Sequence, residues 1–305
     1  MLRVDADALL RHGTEGCVVV LAGPRVIDDG ALDALRSFAA AGALGIANTW
    51  GAKGVFSWDS PHHLGTCGLQ AHDFELLGWE DADLIVTTGL TNEVEPDRYA
   101  LAPVVDLAPS VLVDAIGTVR ADRTPTNDLY PRLAAIAQPG YVDDKVPLHP
   151  ARASADLGAA LPVGGLVAAD PGVAGLWVAR TFPTPALDPG SPRRVVVPAA
   201  REPGVAVRLA ADAARAGRPA IAVTTAPLDA ETLAGIDVAT DESLDLVVAA
   251  WHDTGSLADA AAHAAQLTGA LDAPGVTIVE VPVALADTRL LVEAAGDVVA
   301  WGGIG

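Results

Sequence analysis

The sequence predicts two successive α/β domains, each built on a mainly parallel sheet flanked by helices, and three observations predict them. Its 305 residues exceed the roughly 250 beyond which a single hydrophobic core stops growing. Short, continuous apolar runs alternate with stretches of helical spacing, as parallel strands joined by right-handed crossovers require. Hydrophobic residues make up 51% of the chain, with only six Trp, three Tyr and four Phe. Ala, Val and Leu must therefore supply most of the buried area, which suits helices packed on parallel strands.

Taken in order, the run at residues 17–22 ends in Gly23-Pro24 and reads as a strand buried on both faces, followed by a turn. Residues 32–41 carry helical spacing, 45–49 form a short strand, 83–88 an apolar strand closed by Gly89, and 104–107 another strand. Between 118 and 150 the pattern is interrupted by Pro125, Pro131, Pro139, Pro147 and Pro150. That places the boundary between a domain of residues 1–145 and one of residues 146–305. In the second set, strands are expected at 166–169, 195–197, 220–224, 246–251 and 276–283, with Ala-rich helices at 205–216 and 258–272.

Charge narrows the partners. With 39 acidic against 19 basic residues the formal charge is −20, so nucleic acid and anionic membranes are repelled at long range. The N-terminal Met1-Leu-Arg-Val-Asp-Ala-Asp places acids where a signal peptide needs bases, and no run of about 20 apolar residues is uninterrupted. Cys17 and Cys67 are too few for a disulfide framework. A cytosolic protein is the expectation.

The segment NTWGAKGVFSWDSPHHLGTCGLQ from Asn48 to Gln70, followed by ADLIVTTGL from Ala82 and preceded by VVVLAGPRV from Val18, resembles the central domain of the thiamine-diphosphate enzymes of the acetolactate synthase and benzoylformate decarboxylase type. Locally, Gly51, Gly54, Gly65 and Gly68 permit positive φ or close backbone approach, and Lys53 offers a cation to a phosphate or a neighbouring subunit. The resemblance implies two successive Rossmann-like domains, with FAD or ADP bound on the first in some members. Here Ala22-Gly23-Pro24-Arg25 replaces the Gly-x-Gly-x-x-Gly fingerprint, so a scaffold role is the alternative to nucleotide binding.

The second half extends the resemblance. LVAADPGVAGLWVAR from Leu166 is similar to the opening of the family's cofactor-binding domain, with Asp170, Gly172 and Trp177 at the family spacing and Ala174 where a His is usual. RPAIAVT from Arg218 matches the strand that in the family runs into Gly-Asp-Gly, whose Asp ligates the Mg²⁺ of the bound diphosphate. Thr225-Ala226-Pro227 stands there instead: Ala226 has no ligand and Pro227 no N–H. Asp229 follows closely and is a candidate substitute. In place of the family's Asn pair come His252 and Asp253, with Gly255 retained. Asp253 is the candidate metal ligand, and the candidate cofactor contacts are Asp170, Gly172, Thr225, Ala226, His252, Asp253 and Gly255.

Family members also carry a pyrimidine-binding domain whose Glu activates the cofactor. No Glu of this sequence matches that motif, so no catalytic residue is assigned and activity of the chain alone is not expected. Three readings stay open: a non-autonomous subunit of a split 2-oxo acid decarboxylase or carboligase, using thiamine diphosphate and Mg²⁺ with a separate pyrimidine-domain subunit; a pseudoenzyme binding a partner or ligand; or a nucleotide-binding protein using the first domain. The family's architecture implies a homo-oligomer. His62, His63, Cys67 and His72 cluster in sequence but fit no zinc spacing. Ser57, Ser60, Ser110 and Ser256 lack a nucleophile elbow, and no Walker loop is present.

Overall fold

The computed structural model describes residues 5–255 and 257–304; residues 1–4 of the N-terminal stretch, Ser256 and Gly305 lie outside them. The chain forms two compact units. One comprises the residues up to Leu133 together with Thr184–Arg193 and Ala295–Ala300; the other comprises Ala134–Pro183, Arg194–Ala294 and the residues from Trp301 onward.

The first unit contains β1 (Thr14–Gly16), β2 (Val18–Ala22), β3 (Gly45–Thr49), β4 (His63–Cys67), β5 (Leu84–Thr88), β6 (Val104–Asp106) and β7 (Val119–Ala121). Its main sheet is parallel, in the order β4-β3-β2-β5-β6, and β1 pairs with β7 in a separate two-stranded ribbon. Every residue of β2, β3 and β5 is buried. These strands therefore have no solvent-facing polar side to alternate with, and the polar residues they carry, Asn48, Thr49, Thr87 and Thr88, lie at the carboxyl ends of β3 and β5. The helix Leu32–Gly42 lays Leu32, Leu35, Phe38 and Ala39 onto this sheet.

Two short segments complete the unit. Thr184–Arg193 seats Leu187, 4% exposed, in the same core, and Arg36 Nη2 donates to the Leu187 carbonyl at 2.7 Å. Ala295–Ala300 runs beside residues 69–71, where the Gln70 side chain donates to the Gly296 carbonyl at 2.7 Å.

The second unit contains β8 (Leu166–Ala169), β9 (Val195–Val196), β10 (Ala220–Thr225), β11 (Leu246–His252) and β12 (Val276–Pro282), all parallel, in the order β12-β11-β10-β8-β9. Ala206, Ala210, Ala211 and Ala213 of the helix Val205–Arg215 face Ala168, Ala220 and Ala222 of the sheet. Small residues on both surfaces fill this interface without aromatics, as the composition requires. On a second pair of helices, Pro150–Ala160 and Ala260–Leu271, Asp156 accepts from the fully buried His263 at 2.9 Å and from Arg152 at 2.9 Å.

The elements agree with the expected ones to within two residues where both exist. The proline-rich stretch departs from expectation: residues Leu129–Tyr141 form a helix. Pro131 lies in the first turn, where an amide has no intrahelical acceptor to lose, so only Pro139 interrupts the ladder. His63–Cys67 is also a strand, hidden in sequence by Gly65 and by the polar His63 and Thr66.

Candidate functional site

In each parallel sheet the strand order reverses once, and ligands of such folds gather outside the carboxyl ends at that reversal. In the first unit it lies between β2 and β5. The gap there is filled by the chain itself. Gly23 N–H donates to Thr88 at 2.8 Å and Arg25 N–H to Gly89 at 3.0 Å. Any Cβ on Gly23 would run into the Gly89 carbonyl. The expected outcome for Gly23→Ala is therefore a loss of roughly 1–3 kcal/mol from overpacking, read as a lower urea midpoint.

Beside this reversal lies the Asn48–Gln70 segment. Lys53 is only 9% exposed. Burial, assisted by the Lys53 charge, holds His63 down to about 4. An imidazole with its folded-state pKa depressed contributes stability that is present above its unfolded value near 6.5 and lost as pH falls toward 4. The displacement is worth up to about 3 kcal/mol over that window. His63→Gln, which cannot titrate there, is expected to lose less stability than wild type between pH 7 and pH 4.5, as measured by thermal melts. An equal loss in both proteins would refute the assignment.

Glu93, from the loop after β5, rests its carboxyl against Gly51, leaving no room for a Cβ there. Its Oε2 is buried without a partner. Burial pushes the carboxyl up to about 7, against the opposing pull of the Thr49 hydroxyl, the Arg193 charge and the Gly51 amide.

The other sequence-selected residues of this segment have local roles. His62 Nδ1 meets the Leu44 carbonyl at 2.9 Å, His72 pairs with Glu75 at 3.0 Å and Cys67 is buried. Among the described residues, no three His, Cys, Asp or Glu side chains are placed to hold a metal ion.

In the second unit the reversal lies between β8 and β10, and the candidate cofactor residues fall at the ends of β8, β10 and β11. Asp170 follows β8. Its carboxylate accepts from the Ala206 amide at 2.8 Å, in the first turn of the helix Val205–Arg215, and the Thr224 hydroxyl also bonds to it. Burial raises its pKa despite these donors, and the nearby Asp229 adds to the rise. Gly172 caps the helix Val173–Thr181; Ala174 and Trp177 are buried on that helix, and the Trp177 ring N–H donates to Thr288 at 2.9 Å.

Thr225 ends β10. The Ala226 amide is spent on the Trp251 carbonyl at 2.8 Å, and a cis peptide joins Ala226 to Pro227. Asp229 then accepts from Thr232 at 2.6 Å as the N-cap of the helix Ala230–Asp241. A cap of this kind satisfies the amides at a helix start and places a negative charge against its dipole. Across the gap, any Cβ on Gly204 would press on the backbone of Glu231 and Thr232.

His252 ends β11, with its ring packed against Gly255 and its Nε2 buried without a partner. Asp253 points elsewhere: its Oδ1 accepts from the Leu285 amide at 3.0 Å. Asp259 accepts from Ala262 at 2.8 Å and caps the helix Ala260–Leu271.

Asp170, Asp229 and Asp259 therefore occupy the starts of three helices along the carboxyl edge of this sheet. The capping role of Asp229 and Asp259 was readable from an Asp directly before an Ala-rich helical stretch, and in the first case from Glu231 in the opening turn. The Asp170 contact, 36 residues away along the chain, had no such local signal.

Residues 15–107 match the family profile described as thiamine pyrophosphate enzyme, central domain. No curated protein matches the chain. Among solved structures, a protein from Mycobacterium smegmatis assigned to the thiamin diphosphate-dependent enzymes superposes with a TM-score of 0.66 at 19% identity, over 92% of this chain and 64% of that one. Benzoylformate decarboxylase from Polynucleobacter necessarius superposes with a TM-score of 0.65 at 14% identity, over 92% and 65%. The chain thus spans slightly less than two thirds of each, and both its units have the fold of these proteins. No helix among the described residues is long and apolar enough to cross a membrane.

Proposed function

We propose that this protein keeps the fold of a thiamine-diphosphate enzyme as a binding scaffold, without itself seating the cofactor. The observation that carries this reading is the turn from Thr225 to Asp229. A diphosphate needs free backbone amides and a helix start open to negative charge. At this turn the Ala226 amide is already bonded, Pro227 has none, and the Asp229 carboxylate holds the Thr232 amide. The residues present do not fit a diphosphate with its Mg²⁺. Ala226 offers no ligand, and Asp253, the candidate for the metal, is engaged with Leu285. Calorimetric titration of the protein with thiamine diphosphate and Mg²⁺ is expected to give no heat beyond dilution, with no rise in melting temperature. Saturable binding would overturn the reading.

The shares of the solved chains that this chain spans support a second reading: a non-autonomous subunit that acts in 2-oxo acid chemistry only with a polypeptide supplying the pyrimidine-binding domain. Repeating the titration on a co-purified pair separates the two. Binding by the pair and not by the chain alone selects the second reading.

A further inference from the structure

Sheets blunt their edges with short strands, bulges or charge, because an unblunted edge pairs with any extended strand that reaches it. In the two main sheets, β6 and β9 are only three and two residues long, and the pairing of β4 with β3 is irregular. β12 has none of these features. It is seven residues long, pairs with β11 in unbroken register along its whole length, and carries one charge, Glu280.

The two ends of the β11–β12 ladder fix which main-chain groups face outward. The Leu246 amide donates to the Gly275 carbonyl at 3.3 Å and the Val283 amide to the His252 carbonyl at 2.8 Å, so the odd-numbered residues turn their N–H and C=O toward β11. Val276, Ile278 and Glu280 therefore turn theirs away from it. Beyond them the outer side is closed, since the Leu148 amide donates to Pro282 at 2.8 Å and the Ala284 amide to Leu148 at 2.8 Å. Among the described residues, no backbone group outside β11 bonds to the main chain of residues 276–280, and Ile278 is 46% exposed. Beside this free row, Gln266, Gly269 and Ala270 of the helix Ala260–Leu271 line an open groove. In a chain of formal charge −20 that helix has no Asp, Glu, Lys or Arg, and its one histidine, His263, is fully buried.

We propose that the β12 edge is a dimer interface, filled by β12 of a second copy of this chain running antiparallel about a two-fold axis at Ile278. The outward row sets the register. With Ile278 opposite its counterpart, Val276 falls opposite Glu280 at both ends, and all three outward residues of each copy exchange N–H and C=O with the other. Glu280 then meets a valine and not its like. Sliding the copies by two residues either way brings Pro274 or Pro282, which lack an N–H, into the row. The uncharged helices of both copies lie on one side of the joined sheet, where Gly269 and Ala270 let them approach. The edge is thus complementary to itself in hydrogen bonding and in charge.

Sedimentation of the full chain from about 1 μM to about 500 μM is expected to show a monomer–dimer equilibrium that shifts with concentration and tightens with added salt, which screens two copies of charge −20 from each other. Hydrogen exchange locates the contact. From the dilute to the concentrated end, protection of the Ile278 and Glu280 amides is expected to rise at least about tenfold, while that of Thr277 and Val279, already bonded to β11, stays as it was. A chain that is monomeric throughout, or a dimer that leaves the Ile278 amide unprotected, overturns the proposal. Ile278→Lys and Ile278→Asp set like charges across the axis, so each alone is expected to be a monomer and an equal mixture to recover the dimer. Variants that dimerise as wild type does, or folded variants whose mixture stays monomeric, overturn it as well. The exchange measurement needs no variant, so it holds even if a substitution unfolds the chain.

Discussion

Asp156→Ala is expected to cost roughly 3–5 kcal/mol, the range for breaking a buried charged network by removing one member. Asp156 is 6% exposed and His263 fully buried. Its two oxygens serve different partners, with Oδ1 accepting from Arg152 Nε at 2.9 Å and Oδ2 from His263 Nδ1 at 2.9 Å. His263 Nε2 already lacks a partner, so the substitution leaves both ring nitrogens without one inside the unit. Arg152 keeps Asp144 at 3.1 Å but loses its more buried acceptor. Urea denaturation should show the loss as a lower midpoint with an unchanged slope. A double-mutant cycle with His263→Leu should give a coupling of about 1–3 kcal/mol. Additive effects would mean that the two side chains stabilise the helices separately.

Asp73→Ala is expected to cost about 3 kcal/mol. Asp73 is fully buried, and its Oδ2 accepts from the amides of Leu69 at 2.8 Å and Gln70 at 3.1 Å. Losing the carboxylate strands two buried donors, each worth about 1–3 kcal/mol. From the other side, Arg98 donates to the carbonyls of Gly68 at 2.7 Å and Gln70 at 2.8 Å, so the turn is held through both its donors and its acceptors. Val299 and Ala300 hydrogen-bond to Leu69. Exchange of those two amides should therefore accelerate in Asp73→Ala even where the unit stays folded. Asp73→Asn, which keeps an acceptor at this place, should recover much of the loss; no recovery would point to a role for the charge itself.

The Asn48–Gln70 segment lies within residues 15–107, which match the central-domain profile. Gly51 has a physical reason in the fold: it gives way to the Glu93 carboxyl. Glu93 was seen in the sequence only as a Glu that matched no catalytic motif. Gly51 lies against its carboxyl, and the charges of Asp28 and Arg193, 165 residues apart in the chain, act on it, so no window of sequence contains its surroundings. Lys53 is only 9% exposed, an uncommon place for a lysine.

In the second unit, the expectation that Thr225-Ala226-Pro227 suits a diphosphate poorly came from residue chemistry alone. The geometry adds that the Ala226 amide and the Asp229 carboxylate are already engaged with the chain's own atoms. Asp253 looked like a metal ligand because a carboxylate stood where the family has an Asn. Its bond to Leu285, 32 residues further on, could not be read from that position.

Alternation of apolar runs with helical spacing was enough to predict most strands of the two main sheets and the helices Leu32–Gly42, Val205–Arg215 and Ala260–Leu271, because strand and helix periods are local properties of side-chain placement. Which buried carboxylate meets which donor was not in that pattern. Asp156 finds His263 107 residues away and Gln70 finds Gly296 226 residues away. Such pairs form wherever folding removes two polar groups from water at the same place, and that place exists only once the sheets and helices have packed.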